Sequence, residues 1–322
     1  TYDRRYWLEH AHAGTFTHEL WQALADAGLL GLNIPEAYGG QGLGLTETVL
    51  VQQEMAEHGV PLLMLVVGPG LSGVVLTRHA SEEQKQRWLP PMVRGEEIFA
   101  FSITEPEAGS NTFRISTFAR DEGDHYVLDG VKVFTSGADV ADHFLVVART
   151  APYDPGHRTR GISLLVVDAK SPGLHLSELD LQVVHAEKQF LVTFDNVPVP
   201  KANLVGEPGG ALSALFDGLN PERMMVAATS IGLGRFALQK GVDYAASRVV
   251  FDVPIGAHQA LQHPLALART HLELAALMNL RAAWTFDRGE DAGAWANMAK
   301  LAAADASVEA CDIAIQVHGG NA

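Results

Sequence analysis

The apolar residues of this 322-residue chain change their spacing twice, and that double switch restricts the folds open to it. Residues 1–98 read as helical. The run Glu19-Leu20-Trp21-Gln22-Ala23-Leu24-Ala25-Asp26-Ala27-Gly28 carries apolar side chains at i, i+3 and i+4, and Gly28 marks the helix end. Residues 45–59 and 81–90 continue the pattern, the latter opened by Ser81-Glu82-Glu83, an N-cap followed by first-turn acids. Ile34 to Gly44 is a glycine-dense turn with no Gly-Lys-Ser/Thr after it, so it does not read as a phosphate loop. From residue 99 to about 204 the period drops to two. Strands are expected at 112–119, 125–128, 131–135, 144–148, 162–167 and 191–194, with Asp129-Gly130 as a hairpin turn between two of them. Pro and Gly cluster at 152–161 and 171–173, as surface loops do. Beyond 205 the chain is helical again and rich in alanine, with helices expected at 211–219, 221–249, 259–289 and 292–317. The expected fold is α+β: an N-terminal helical domain (1–98), a central antiparallel β-barrel or sandwich (99–204) and a C-terminal helical bundle (205–322).

Charge excludes one class of partner. Lysine and arginine total 23 against 38 acids, a net charge of −15, where a nucleic-acid binder needs a basic face. Local arginines can still hold a polyanionic small molecule against that mean field. The hydrophobic fraction is 47%, enough for a sizeable core. Cys311 stands alone, so no intrachain disulfide forms and a reducing compartment is expected: the cytoplasm, or the mitochondrial matrix in a eukaryote. The longest apolar run, 61–76, is broken by Gly68-Pro69-Gly70 and falls short of the roughly 20 residues of a membrane span. No signal peptide is visible, and the initial Thr implies that the natural start lies upstream.

The stretch with most chemical content is Phe101-Ser102-Ile103-Thr104-Glu105-Pro106-Glu107-Ala108-Gly109-Ser110-Asn111. It reads as a strand over 101–104 that breaks at Pro106, turns through Gly109 and presents the hydroxyls of Thr104 and Ser110. Such a turn leaves backbone N–H groups free for a polar ligand, although an ordinary loop between a helix and a sheet has the same composition.

Thr-Glu-Pro-x-Ala-Gly-Ser resembles the signature of the acyl-CoA dehydrogenase family, with Glu107 in place of the usual Gly and Asn111 in place of Asp. The resemblance extends along the chain, through Pro-Glu-x-Tyr-Gly-Gly-x-Gly at 35–42, the segment 84–91, and the helix–strand–helix order. It implies FAD as cofactor and an acyl-CoA substrate. It also implies that Phe101, Ile103, Thr104 and Gly109 line the flavin and that Ser110 meets both flavin and acyl-CoA. Lys132-Val133-Phe134-Thr135-Ser136-Gly137 is similar to the family's Lys-x-Trp-Ile-Thr-Asn-Gly, one residue shorter and without the Trp. Counted back from Gly137, Thr135 takes the place of the Thr that reaches flavin N5, and Phe134 substitutes for the aromatic wall.

Asn220-Pro221-Glu222-Arg223 reads locally as a helix start: Asn as N-cap, Pro at the first position, Glu in the first turn. That alone accounts for Glu222. The resemblance adds a second reading, because isovaleryl and long-chain members place their catalytic Glu here, with an Arg beside it at the position of Arg223. Glu222 would take the α-proton while the β-hydrogen passes as hydride to N5. The helix dipole and Arg223 favour its ionised form, burial the neutral one.

Residues 248–259 resemble the segment by which the family contacts the FAD of a neighbouring subunit, with Asp252 where Gly is usual. Arg248, Phe251, Ile255, His258 and Gln259 fall in it, and a planar guanidinium suits a diphosphate. Gln316-Val317-His318-Gly319-Gly320 is similar to a further stretch in which Gln316 and Gly320 would touch the adenine side of that FAD. A homodimer is then the minimum active unit and a homotetramer is expected, with an electron acceptor such as an electron-transfer flavoprotein. The resemblance implies further closing helices after Ala322, with a Glu-Gly-Thr turn near the end, where medium-chain members place their base instead of at Glu222; which position supplies the base here stays open.

Other chemistries fade. His10, His12 and His18 have no carboxylate or cysteine at ligand spacing, and neither Gly-x-Ser-x-Gly nor a strand-to-helix Gly-x-Gly-x-x-Gly occurs. The rival readings on the same scaffold are a flavin monooxygenase or acyl-CoA oxidase, and a flavin-free structural subunit of a hetero-oligomer.

Overall fold

The computed structural model describes residues 2–322, which group into two units. One comprises residues 8–43 and 63–219, the other residues 2–7 with 44–62 and 220–322.

In the larger unit, helices α1 (Arg4–Ala13, its first turn in the other unit) and α2 (His18–Asp26) lead into the glycine-rich turn. Helix α3 (Leu45–Glu57) belongs to the smaller unit. Residues 63–79 then run as one helical rod: α4 (Leu63–Leu65), a π-helical stretch Val66–Gly73 containing Pro69, and α5 (Val74–His79). The expectation that this apolar segment is core holds, since 66 and 68–76 are buried. Helix α6 (Glu82–Val93) opens with Ser81 and Gln84 bonding each other's backbone N–H groups, a capping box. It continues through Pro90 and Pro91, past the expected end.

The sheet has eight strands: β1 (Phe99–Ser102), β2 (Phe118–Asp121), β3 (His125–Ser136), β4 (His143–Arg149), β5 (Ile162–Asp168), β6 (Leu174–Glu178), β7 (Gln189–Pro200) and β8 (Leu204–Val205). Its order is β6-β7-β3-β2-β4-β5-β8, with β1 also on β4; pairing is antiparallel except for β1 and β2 against β4. Strand β4 shows why it is buried on both faces. Leu145 and Val147 join one cluster with Trp88, Met92 and Leu164, while Phe144, Val146 and Ala148 join another with Phe190, Val192 and Phe194.

Three local expectations fail here. Asp129-Gly130 is no hairpin: β3 runs unbroken from 125 to 136 against β7, and its register shifts at Gly130. A Cβ on Gly130, at φ 151°, would lie 2.7 Å from Thr117 Cα, so the glycine permits a bulge where two backbones meet. Residues 112–114 form a 3-10 turn instead of a strand, and β1 ends at Ser102, two residues early.

Helix α7 (Leu212–Ser247) carries the largest correction. The two helices expected on either side of Asn220 are one, with Pro221 inside it. Asn220 is not an N-cap and Glu222 lies about three turns from the helix start, beyond the reach of terminal dipole effects. Apolar burial overrides the local start signal: Ala214 and Leu215 before the proline, Met224, Met225, Ala227 and Ala228 after it.

In the smaller unit, a tight hairpin of β9 (Val249–Val250) and β10 (Val253–Pro254) follows α7 and leads to α8 (Gln259–Asp287) and α9 (Gly293–His318). Their core is alanine-dense: Ala227 and Ile231 pack with Ala268, Leu272, Ala275, Ala303, Ala306 and Ala310. Small side chains let the helices approach, and Gly232 lies against the α3 backbone, where a Cβ would meet Gln53 O at 2.3 Å. Asp287 accepts from Leu45 N at 2.7 Å and Thr46 N at 2.9 Å, capping α3 from 242 residues away.

Candidate active site

In the larger unit, β1 and the loop after it are laid against β3. Val133 N donates to Thr104 O (2.9 Å), and the Lys132 ammonium donates to Ile103 O (2.9 Å) and Glu105 Oε1 (2.9 Å). The Glu105 carboxylate also accepts from Ser116 N, Ser116 Oγ and Thr117 N. Burial by itself would push the Glu105 carboxyl up, but the ammonium and these donors hold it well below the usual carboxylate range. Burial draws Lys132 below an ordinary lysine, with Glu105 pulling it back, so at neutral pH both are charged. Sequence reading missed this pair, because 27 residues separate its members and no local pattern links them.

Phe101, Ile103 and Thr104 are half-buried; Gly109 and Ser110 stand exposed on the loop. Among the described residues the amides of Thr104, Gly109 and Ser110 have no intramolecular partner. Phe134 sits in the left-handed region (φ 58°) at the second register shift of β3, its side chain 57% exposed. Thr135 turns the other way: it is 1% exposed and its hydroxyl bonds Ser102 Oγ at 3.0 Å. Ser136 next to it is half-buried and bonds Gln189. Free amides on the loop and an outward aromatic ring on β3 suit a flat, polar-edged ring; the Thr135 hydroxyl, expected to reach flavin N5, instead turns inward onto Ser102.

Glu187 is the other carboxyl that sequence reading missed. It is buried and accepts from Leu63 N (2.7 Å) and Met64 N (3.3 Å) at the start of α4, and burial pushes its carboxyl up to about 7.

In the smaller unit, Glu222 is half-buried and its carboxyl has no hydrogen-bond partner among the described residues. Burial raises its pKa, against the nearby charges of Arg223 and Lys300. Arg223 donates to Asn220 Oδ1 (2.9 Å), turning the expected N-cap into an anchor for the guanidinium.

The two cofactor segments expected from this unit come together. Tyr244 stacks on His318 at 4.5 Å, Asn321 Nδ2 donates to Tyr244 Oη (2.8 Å), and Ile255 N donates to Arg248 O (2.8 Å). Gln316 and Gly320 therefore lie beside the end of α7 that leads to Arg248. Phe251 and Asp252, at φ 52° and 66°, are the centre of a type I′ turn, which explains an Asp where glycine is usual and leaves Phe251 90% exposed. The exposed Arg248 guanidinium has no carboxylate within the chain among the described residues, as a diphosphate ligand requires. Ile255 is half-buried, and His258 and Gln259 are exposed at the start of α8.

Comparison with known proteins gives one answer along the whole chain. Family profiles described as the acyl-CoA dehydrogenase N-terminal, middle and C-terminal domains match residues 4–96, 100–197 and 212–322. The acyl-CoA dehydrogenase FadE12 of Mycobacterium tuberculosis is 45% identical over 322 residues, covering 99% of this chain and 82% of its own. Butyryl-CoA dehydrogenase from Megasphaera elsdenii superposes with a TM-score of 0.91 at 29% identity, over 97% of this chain and 82% of that one. An FAD complex of PigA does so with a TM-score of 0.90 at 27% identity, over 96% and 81%. The chain thus belongs to the acyl-CoA dehydrogenase family and is an FAD-dependent oxidoreductase.

Proposed function

We propose that this enzyme desaturates the Cα–Cβ bond of an acyl-CoA thioester to the 2-enoyl-CoA, with Glu222 as the base for the α-proton. The observation that carries the proposal is the unpartnered Glu222 carboxyl, half-buried in mid-helix with its pKa raised. A carboxylate without donors of its own and with raised basicity is suited to take a proton near neutral pH. Bound FAD supplies the two-electron acceptor. Phe101, Ile103, Thr104, Gly109, Ser110, Phe134 and Thr135 would hold the flavin end, Thr135 by bracing Ser102 beneath it. Ser110 would also contact acyl-CoA, and Arg223 would orient the substrate side of Glu222.

Arg248, Phe251, Ile255, His258, Gln259, Gln316 and Gly320 would hold the diphosphate and adenine of a second subunit's FAD. Support comes from the length of α7: the 25 residues from Glu222 to Ser247 span about 37 Å of helix, too far for one chain's Glu222 and Arg248 to serve one reacting centre. The enzyme then works as a homodimer or homotetramer, passing electrons to an acceptor such as an electron-transfer flavoprotein.

Anaerobic addition of an acyl-CoA panel, followed by flavin bleaching, tests the reading. Glu222→Gln should retain FAD and slow bleaching by about 10²–10⁴-fold. Bleaching at the parental rate would remove Glu222 from the role. Rapid reaction of the reduced enzyme with O2 would point to oxidase chemistry.

A further inference from the structure

The Glu105–Lys132 pair is a buried ion pair for which the proposed chemistry has no use. Lys132 is 0% and Glu105 3% exposed by side chain. Isolating two charges from water is costly unless every donor and acceptor is satisfied, and replacement by apolar residues is often no worse for stability. Stability is therefore a weak reason for the pair to exist. Its geometry suggests a better one.

The Glu105 carboxylate receives Lys132 from one side and Ser116 and Thr117 from the other. It thus closes the loop 105–117 at its base, with Gly109 and Ser110 in the span between. Lys132 adds the Ile103 carbonyl, immediately before Thr104, whose own carbonyl takes Val133 N. The far limb is tied separately: Arg149 donates to the carbonyls of Phe113 (2.6 Å) and Ile115 (3.0 Å). Two buried charges thus set the register of the Ile103-Thr104 backbone, of the Ser110 loop and of the strand bearing Phe134. A neutral hydrogen-bonded pair would do this less rigidly, because charge-assisted bonds are shorter and stronger.

We propose that Glu105 and Lys132 are positioning residues, whose ion pair holds the flavin-facing backbone at Thr104 and the substrate-facing loop at Ser110 in one geometry against β3. This rests on the reading of that segment as the flavin and acyl-CoA cradle. Both side chains are buried beneath the segment, and their effect passes through Ile103, Thr104 and Ser110.

The test compares FAD-loaded parent, Phe134→Ala, the double variant Glu105→Gln/Lys132→Met, and Ser116→Ala. Phe134→Ala examines the cradle by itself: a parental flavin absorption spectrum and FAD affinity in that protein would refute the cradle, whatever the pair does. With the cradle upheld, the double variant, which leaves no unpaired charge, should fold with parental circular dichroism yet show a displaced flavin spectrum. Its bleaching by acyl-CoA should slow by about 100-fold, the scale of a misplacement near 1 Å, with KM for acyl-CoA raised as well. Parental spectrum, rate and KM in the folded double variant would overturn the proposal. Should that variant not accumulate folded, Ser116→Ala decides, since it removes one exposed hydroxyl donor to the same carboxylate. A raised KM there upholds the proposal, and parental kinetics overturn it.

Discussion

Glu222, the proposed base, illustrates how surroundings decide what a residue can do. In an isolated helix start it would be an acid satisfying a dipole. Inside α7 it has neither dipole nor hydrogen-bond donor, and burial, the largest influence, raises its pKa against Arg223 and Lys300. A base must be ionised to work, so the rate of flavin reduction should fall as pH drops through that raised pKa. Lys300 holds the pKa down, so Lys300→Met should move the acid limb of the pH–rate profile upward, lowering activity on that limb and leaving the plateau unchanged. An unmoved limb would mean that another group titrates. The shift should shrink with added salt, because Lys300 is exposed. Of these features, Glu222 as a candidate base was readable in the sequence; its environment was not, because Pro221 gave a false start signal.

At the level of elements, carboxylates distant in sequence tie helix ends to other segments. Glu187 holds the start of α4 with a carboxyl pushed up to about 7 by burial. A folded-state pKa above the unfolded value of 4.5 means that the folded state binds the proton more tightly. The stability this contributes is full below pH 4.5 and lost as pH rises through 7. Glu187→Gln keeps an acceptor for Leu63 N and Met64 N without the charge. It should match the parent near pH 4 and exceed it by up to roughly 3 kcal/mol at pH 8, in denaturant melts at both pH values. A constant difference across that range would show that Glu187 does not titrate in the fold. Strand β3 permits a second check. Gly130→Ala would drive a Cβ into Thr117, so it should cost about 1–3 kcal/mol and loosen FAD, because Thr117 N is one of the donors to Glu105. The sequence marked Gly130 as special, but a turn and a bulge call for the same residue.

At the scale of the whole molecule, the smaller unit exposes a row of large apolar side chains on α8 and α9: Leu267, Leu274, Leu277, Leu301, Val308 and Ile315. Such a face is the kind that an interface covers, and its burial would have to offset the repulsion between chains of net charge −15. If the proposed homodimer or homotetramer is built on this face, Leu277→Arg should give smaller species than the parent in light scattering, and if subunits complete each other's sites it should lose FAD in parallel. Arg248→Ala, by contrast, should weaken FAD binding about 10–100-fold without changing assembly size. FAD retained by a dissociated Leu277→Arg protein would show that each chain holds its cofactor unaided.

What the residues alone determined was the class of the fold and the approximate span of its major helices and strands, because hydrophobic periodicity is a local property that burial then enforces. They also singled out 104–110 and 248–259, the segments proposed to hold the cofactor, since short motifs carry their own turn geometry. Only the tertiary structure decided that α7 runs through Pro221, that β3 bulges at Gly130 instead of turning, and that Glu105 meets Lys132. Each of those outcomes depends on atoms far apart in the chain, where the free energy of packing and charge pairing outweighs the local preference that the sequence displays.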